Sequence, residues 1–91
     1  MSDNKYTFSF EEVAQRQFNK LDGSVKKRIQ TYINKHIEKS KDPRKVGEPL
    51  GGEKSGLWRY RIGKYRLVCH IADEELVVLA VKVDHRAKVY K

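Results

Sequence analysis

Ninety-one residues, 38% of them hydrophobic, leave room for one small domain whose core must engage most of the chain. Twenty Lys and Arg against twelve Asp and Glu give a net charge of +8, which favours nucleic acid or an acidic protein as partner and says nothing about fold. A single cysteine, Cys69, excludes an internal disulfide and fits a reducing cytoplasm. The polar start Met1-Ser2-Asp3-Asn4-Lys5 carries no secretory signal, and no apolar run approaches a membrane span. His36, His70 and His85 are scattered and Cys69 has no partner at ligand spacing, so neither a metal nor a cofactor is expected.

Tyr6-Thr7-Phe8-Ser9-Phe10 alternates aromatic and small polar residues, which predicts a half-buried first strand. Glu11 and Glu12 suit the first turn of the helix that follows, where the helix dipole favours negative charge. Val13, Ala14, Phe18 and Leu21 give that helix one apolar stripe. Asp22-Gly23 breaks it, and Ser24 is the expected N-cap of a second helix carrying Val25, Ile29, Tyr32, Ile33 and Ile37 at helical spacing. Lys26, Lys27, Arg28 and Lys35 occupy its remaining faces and read as solvated surface. The stretch Ser40–Gly56 holds both prolines and four of the six glycines. It reads as an ordered connection, because neither flank has the residues for a core of its own.

Leu57 to Ile71 predicts two antiparallel strands joined at Gly63-Lys64. Strand side chains alternate, so Trp58, Tyr60 and Ile62 face one side as core while Arg59 and Arg61 face the other. With Arg66 on the partner strand they make a rigid basic surface, a seat for a polyanion. Cys69 reads as a buried structural thiol and His70 as a packed polar residue. Asp73-Glu74-Glu75 makes a turn, and the β-branched run Leu76–Val83 predicts a central strand covered on both sides or nearly so. The tail from Asp84 to Lys91 is polar and basic. The chain is thus expected to be one α+β domain over residues 1–91, in the order β-α-α-β-β-β. A helical hairpin packs on one face of a small antiparallel-rich sheet, and the other face is open and basic.

The element order, the turn Arg61-Ile62-Gly63-Lys64-Tyr65-Arg66-Leu67-Val68 and the ending His85-Arg86-Ala87-Lys88-Val89-Tyr90 resemble the RelE/ParE superfamily of bacterial toxins. The resemblance spans nearly the whole chain and is strongest in the hairpin and tail, closer to the RelE branch. It implies a small toxin that enters the ribosomal A site and cuts messenger RNA there, neutralised by an acidic antitoxin. No membrane or small-molecule ligand belongs to that picture. The alternative is the ParE branch, which shares the fold, poisons DNA gyrase and cuts no RNA. Residue by residue, the resemblance implies that Arg66 contacts the scissile phosphate, that Arg86 relieves charge or donates a proton, and that a messenger base stacks on Tyr90. Arg59 and Arg61 stand where the RelE branch often has lysines. Glu48 in Gly47-Glu48-Pro49-Leu50 is similar to a glutamate some relatives use, and His85 to a histidine near the C-terminus of others. Lys64 at the turn tip and Lys88 in the tail complete the expected RNA contacts.

Cutting RNA without a metal requires alignment of a ribose 2′-OH, relief of charge at phosphorus, and proton transfer. Arginine suits the second need, since its planar fork matches phosphate oxygens and it stays charged among other cations. It cannot act as the base, because it is not deprotonated in proteins. His85, with an ordinary pKa of roughly 6.5, is the best proton-transfer candidate, and Glu48, ionised but weakened by nearby arginines, is the competing base. The expected site is one groove on the open sheet face that gathers Arg59, Arg61, Arg66, His85, Arg86 and Tyr90.

Overall fold

The computed structural model describes residues 4–51 and 56–85. The first strand, β1 (Thr7–Phe10), turns Phe8 and Phe10 inward and leaves Thr7 and Ser9 exposed, as the alternation predicts. Helix α1 (Glu12–Asn19) starts one residue later than its first acidic residue. Glu11 is the N-cap, and its carboxylate accepts a hydrogen bond from the Val13 N–H at 3.0 Å. Ala14 is buried and Phe18 stacks on Phe10 at 4.9 Å, but Val13, expected in the stripe, remains 49% exposed.

Helix α2 (Gly23–His36) differs at its start. Asp22, not Ser24, occupies the N-cap, without a side-chain hydrogen bond. Its carboxylate still complements the positive end of the helix dipole. Ile29, Ile33 and Ile37, four residues apart, lie on one face and are almost fully buried. They meet the inward side of the sheet, where Tyr60, Ile62, Leu67, Cys69, Ile71, Val78, Ala80 and Val83 complete the core. Among the described residues no helix is long and apolar enough to cross a membrane.

The connection after α2 is ordered by contacts to the sheet. Pro43 is buried and its carbonyl accepts the Tyr60 hydroxyl at 2.6 Å. Trp58 Nε1 donates to the Val46 carbonyl at 2.8 Å. Arg44 grips Asp73 through both carboxylate oxygens, at 2.9 and 3.1 Å, and the Tyr6 hydroxyl donates to the same carboxylate at 2.7 Å. Within this connection lies a strand the sequence does not announce, β2 (Glu48–Pro49), which pairs with Arg59 and Trp58.

Strands β3 (Leu57–Ile62), β4 (Tyr65–Ala72) and β5 (Val77–His85) form an antiparallel meander. The five-stranded sheet runs β1-β5-β4-β3-β2, with β1 parallel to β5. Both helices pack on one side of it. Strand β5 is therefore an interior strand, between β1 and β4, but is not covered on both faces: Val78, Ala80 and Val83 are buried, whereas Val77, Leu79 and Val81 are half-buried. Its register also shifts. Val68 pairs with Lys82 and Cys69 with Ala80, so Val81 is an extra residue and side-chain parity reverses across it.

Candidate nucleic-acid interface

Alternation along β3 sends Tyr60 and Ile62 into the core and Arg59 and Arg61 to the opposite, open side. Gly63, at φ +62, supplies the positive dihedral that the two-residue turn needs. The turn fixes a register in which Arg61 lies directly across from Arg66. Like charges facing each other across two strands are destabilising in isolation. Their juxtaposition creates a concentrated positive potential that an anion relieves. On its other flank Arg66 faces Asp84, whose carboxylate lies 3.4 Å from Lys82 Nζ.

Glu48 joins this face from β2, in register with Arg59. Its Oε2 is bound by Arg59 Nη2 and lies 3.2 Å from Arg61 Nη2. Gly47 makes that approach possible. At φ +85, a Cβ here would sit 2.5 Å from Trp58 Nε1 and 2.6 Å from the Arg59 carbonyl oxygen. The Arg59 hydrogen bond and charge, followed by Arg61, hold the Glu48 carboxyl below the usual carboxylate range, so it is ionised. Arg59 is the more enclosed of the two arginines, with 21% of its side chain exposed against 61% for Arg61, and its Nε is buried without a partner among the described residues. Arg59 thus anchors Glu48, while the more exposed Arg61, paired with the same oxygen, still presents its guanidinium to solvent. A cleft of about 230 Å³ lies between them, lined by Tyr32, Gly47, Glu48, Arg59 and Arg61.

Over residues 8–90 the chain matches the ParE toxin family of type II toxin–antitoxin systems, parDE. It belongs to the RelE/ParE superfamily of toxins. The toxin is 35% identical over 86 residues to toxin RelG of Mycobacterium tuberculosis, an alignment covering 94% of this chain and 97% of that one. Its structure superposes on a chain of the RelBE2 toxin–antitoxin complex of the same organism with a TM-score of 0.81 and 34% identity, covering 91% of this chain and 93% of that one. The isolated RelE toxin of Escherichia coli shares the fold, with a TM-score of 0.72 and 24% identity over 93% of this chain and 90% of that one. The chain is therefore the RelE-like toxin of a toxin–antitoxin system.

The remaining expected residues divide. Lys64 is exposed in the hairpin turn, next to the Arg61–Arg66 pair. By register His85 lies on the other face of the sheet from Arg61 and Arg66. It pairs with Tyr65, its ring meeting the Tyr65 ring edge-on at 4.7 Å, on the sheet side of Leu67 and Val83. The groove expected to hold His85 with the guanidinium groups is thus split by the sheet, because the extra residue Val81 reverses the parity of everything after it. Arg86, Lys88 and Tyr90 lie outside the described residues.

His70, expected to be packed, is exposed on the open face opposite Leu79. Cys69 is fully buried, and burial pushes its thiol pKa far up, consistent with an inert structural thiol. Two residues enter the picture from α2. Arg28, read as solvated surface, reaches the hairpin, where its Nη1 lies 2.7 Å from the position of a Cβ on Gly63. Tyr32, read as part of an apolar stripe, walls the arginine cleft. Helical periodicity alone cannot separate either from its neighbours.

Proposed function

We propose that this toxin is a ribosome-dependent endoribonuclease that cuts messenger RNA in the A site and thereby stops translation in the cytoplasm. The observation that carries the reading is the facing pair Arg61 and Arg66 with an ionised carboxylate, Glu48, beside Arg61 on the same open face. Arg66 and Arg61 grip the scissile phosphate and offset the charge that grows on its oxygens. Glu48, oriented by Arg59, takes the proton of the adjacent ribose 2′-OH. The 2′ oxygen then bonds to phosphorus, the bond to the 5′ oxygen breaks, and a 2′,3′-cyclic phosphate and a free 5′-OH result. The departing 5′ oxygen takes its proton from water, and the tail residue Arg86 adds charge relief, with Tyr90 as a base platform and Lys64 and Lys88 as backbone contacts. This chemistry is metal-independent, since guanidinium groups supply the charge relief.

An acidic antitoxin is the proposed partner. The toxin's net charge of +8 favours one, and the M. tuberculosis and E. coli relatives are known in toxin–antitoxin complexes. Primer extension on translating ribosomes tests the enzyme reading: new cuts positioned in the A site are expected, and their absence with active toxin rejects it. Arg66→Ala and Arg86→Ala are each expected to abolish growth arrest in a folded protein. The match to the ParE family supports a second reading, inhibition of DNA gyrase without nuclease activity. Intact messenger together with accumulating cleaved DNA–gyrase complexes is the outcome that favours it.

A further inference from the structure

The arginine cleft contains one group that phosphate binding does not need. Tyr32 stands sixteen residues before Glu48 in sequence, on another element, yet both line the same space of about 230 Å³. Its ring is held from two directions, by His36 at 4.6 Å between ring centres and by Tyr60 at 6.0 Å. Tyr6 and Tyr60 donate their hydroxyls to Asp73 and to the Pro43 carbonyl, whereas Tyr32 donates no hydrogen bond among the described residues. It is half-buried, and part of it forms the cleft wall.

We propose that Tyr32 is a positioning residue on which the base of a single-stranded RNA nucleotide stacks while the phosphate of that nucleotide lies on Arg61. The inference rests on the endoribonuclease reading for its purpose, but its geometry stands on the cleft alone. One aromatic wall, two guanidinium groups and one carboxylate are the combination that single-stranded nucleic acid recognises: a flat apolar face for a base and cations for the backbone. The nucleotide seated here has its sugar next to Glu48, so stacking on Tyr32 sets the angle at which the 2′-OH meets the carboxylate. A ring already fixed by His36 and Tyr60 loses little freedom when a base lands on it. Tyr32 therefore acts through the substrate's orientation, and the identity of the stacked base influences where cutting occurs.

The test uses the full-length toxin and an uncleavable, 2′-O-methylated trinucleotide RNA with a fluorescent label. Tyr32→Leu is expected to raise its Kd about tenfold, the scale of one lost base stack. Tyr32→Phe, which keeps the ring, is expected to recover the affinity. The dependence of Kd on salt should be the same in all three proteins, because the arginine contacts remain. Wild-type affinity in Tyr32→Leu, a Tyr32→Phe variant as weak as Tyr32→Leu, or no saturable binding by the wild type overturns the proposal. On programmed ribosomes, Tyr32→Leu should lower kcat as well as raise KM, and even out the preference among A-site bases. If the wild type cuts no messenger yet the Kd pattern holds, the nuclease reading falls and the stacking site stands.

Discussion

Replacing Glu48 by Gln tests the proposed chemistry most directly. The amide keeps the shape of the side chain and one acceptor oxygen for Arg59, but loses the charge and nearly all the basicity. General-base assistance is typically worth about 10²–10⁴ in rate. Arg59 and Arg61 hold the Glu48 carboxyl below its ordinary range, which makes it a weaker base, so the loss in kcat should lie near about 10²-fold. KM should not rise. Glu48 Oε2 lies 3.2 Å from Arg61 Nη2, and losing the anion frees that guanidinium for the phosphate. The assay is single-turnover primer extension on programmed ribosomes, from about pH 5.5 to about pH 8.5. A carboxyl with a lowered pKa is already ionised across that window, so Glu48 gives no rise in rate on the acid side. An acid-side rise in rate that disappears in His85→Gln would assign the base to the imidazole. That result, or a Glu48→Gln toxin cutting at the wild-type rate, refutes the reasoning.

Gly47→Ala places a Cβ 2.5 Å from Trp58 Nε1 and 2.6 Å from the Arg59 carbonyl oxygen at φ +85, and the backbone oxygen cannot yield. It should destabilise the toxin by more than about 1 kcal/mol and reduce cleavage by displacing Glu48; a variant that melts and cuts normally sinks this account. Tyr60→Phe leaves the buried Pro43 carbonyl without its donor, so urea denaturation should report a loss of about 1–3 kcal/mol, and unchanged stability argues against that bond. Arg44 and then Tyr6 bring the Asp73 carboxyl down to about 2 by hydrogen bonding. Its contribution is thus present above the unfolded value of about 3.9 and lost as pH falls through the folded one. Asp73→Asn should lower stability at neutral pH by under about 1 kcal/mol, since both partners are half-exposed, and should flatten the acid-side decline between about pH 4 and about pH 2. An unaltered decline would show that other carboxyls control it.

Much of the architecture is legible because it is carried by short-range periodicity. The alternation Trp58-Arg59-Tyr60-Arg61-Ile62 needs only the pleat of a strand to separate core from basic surface, and the structure buries Tyr60 and Ile62 as that pattern requires. The Ile29, Ile33 and Ile37 spacing likewise needs only a helix. Legibility fails where neighbours in space are distant in sequence. Glu48 lies in a loop-like stretch next to Lys45, and nothing local indicates that its partners are Arg59 and Arg61. Tyr32 looks like its apolar neighbours until the edge of β3 is placed beside it.

Taken by itself, the sequence determined the α+β layering, the two-sidedness of the hairpin and the basic character of its open face, since each follows from local repeat and composition. Tertiary structure alone decided which groups share the site. The clearest case is His85. In the unbroken run Val77-Val78-Leu79-Ala80-Val81-Lys82-Val83, a bulge at Val81 has no signature, because every residue around it suits a strand. Yet one extra residue moves each later side chain to the other face. That shift carries His85 to Tyr65 and away from Arg61 and Arg66, leaving Glu48 as the ionised carboxylate beside Arg61.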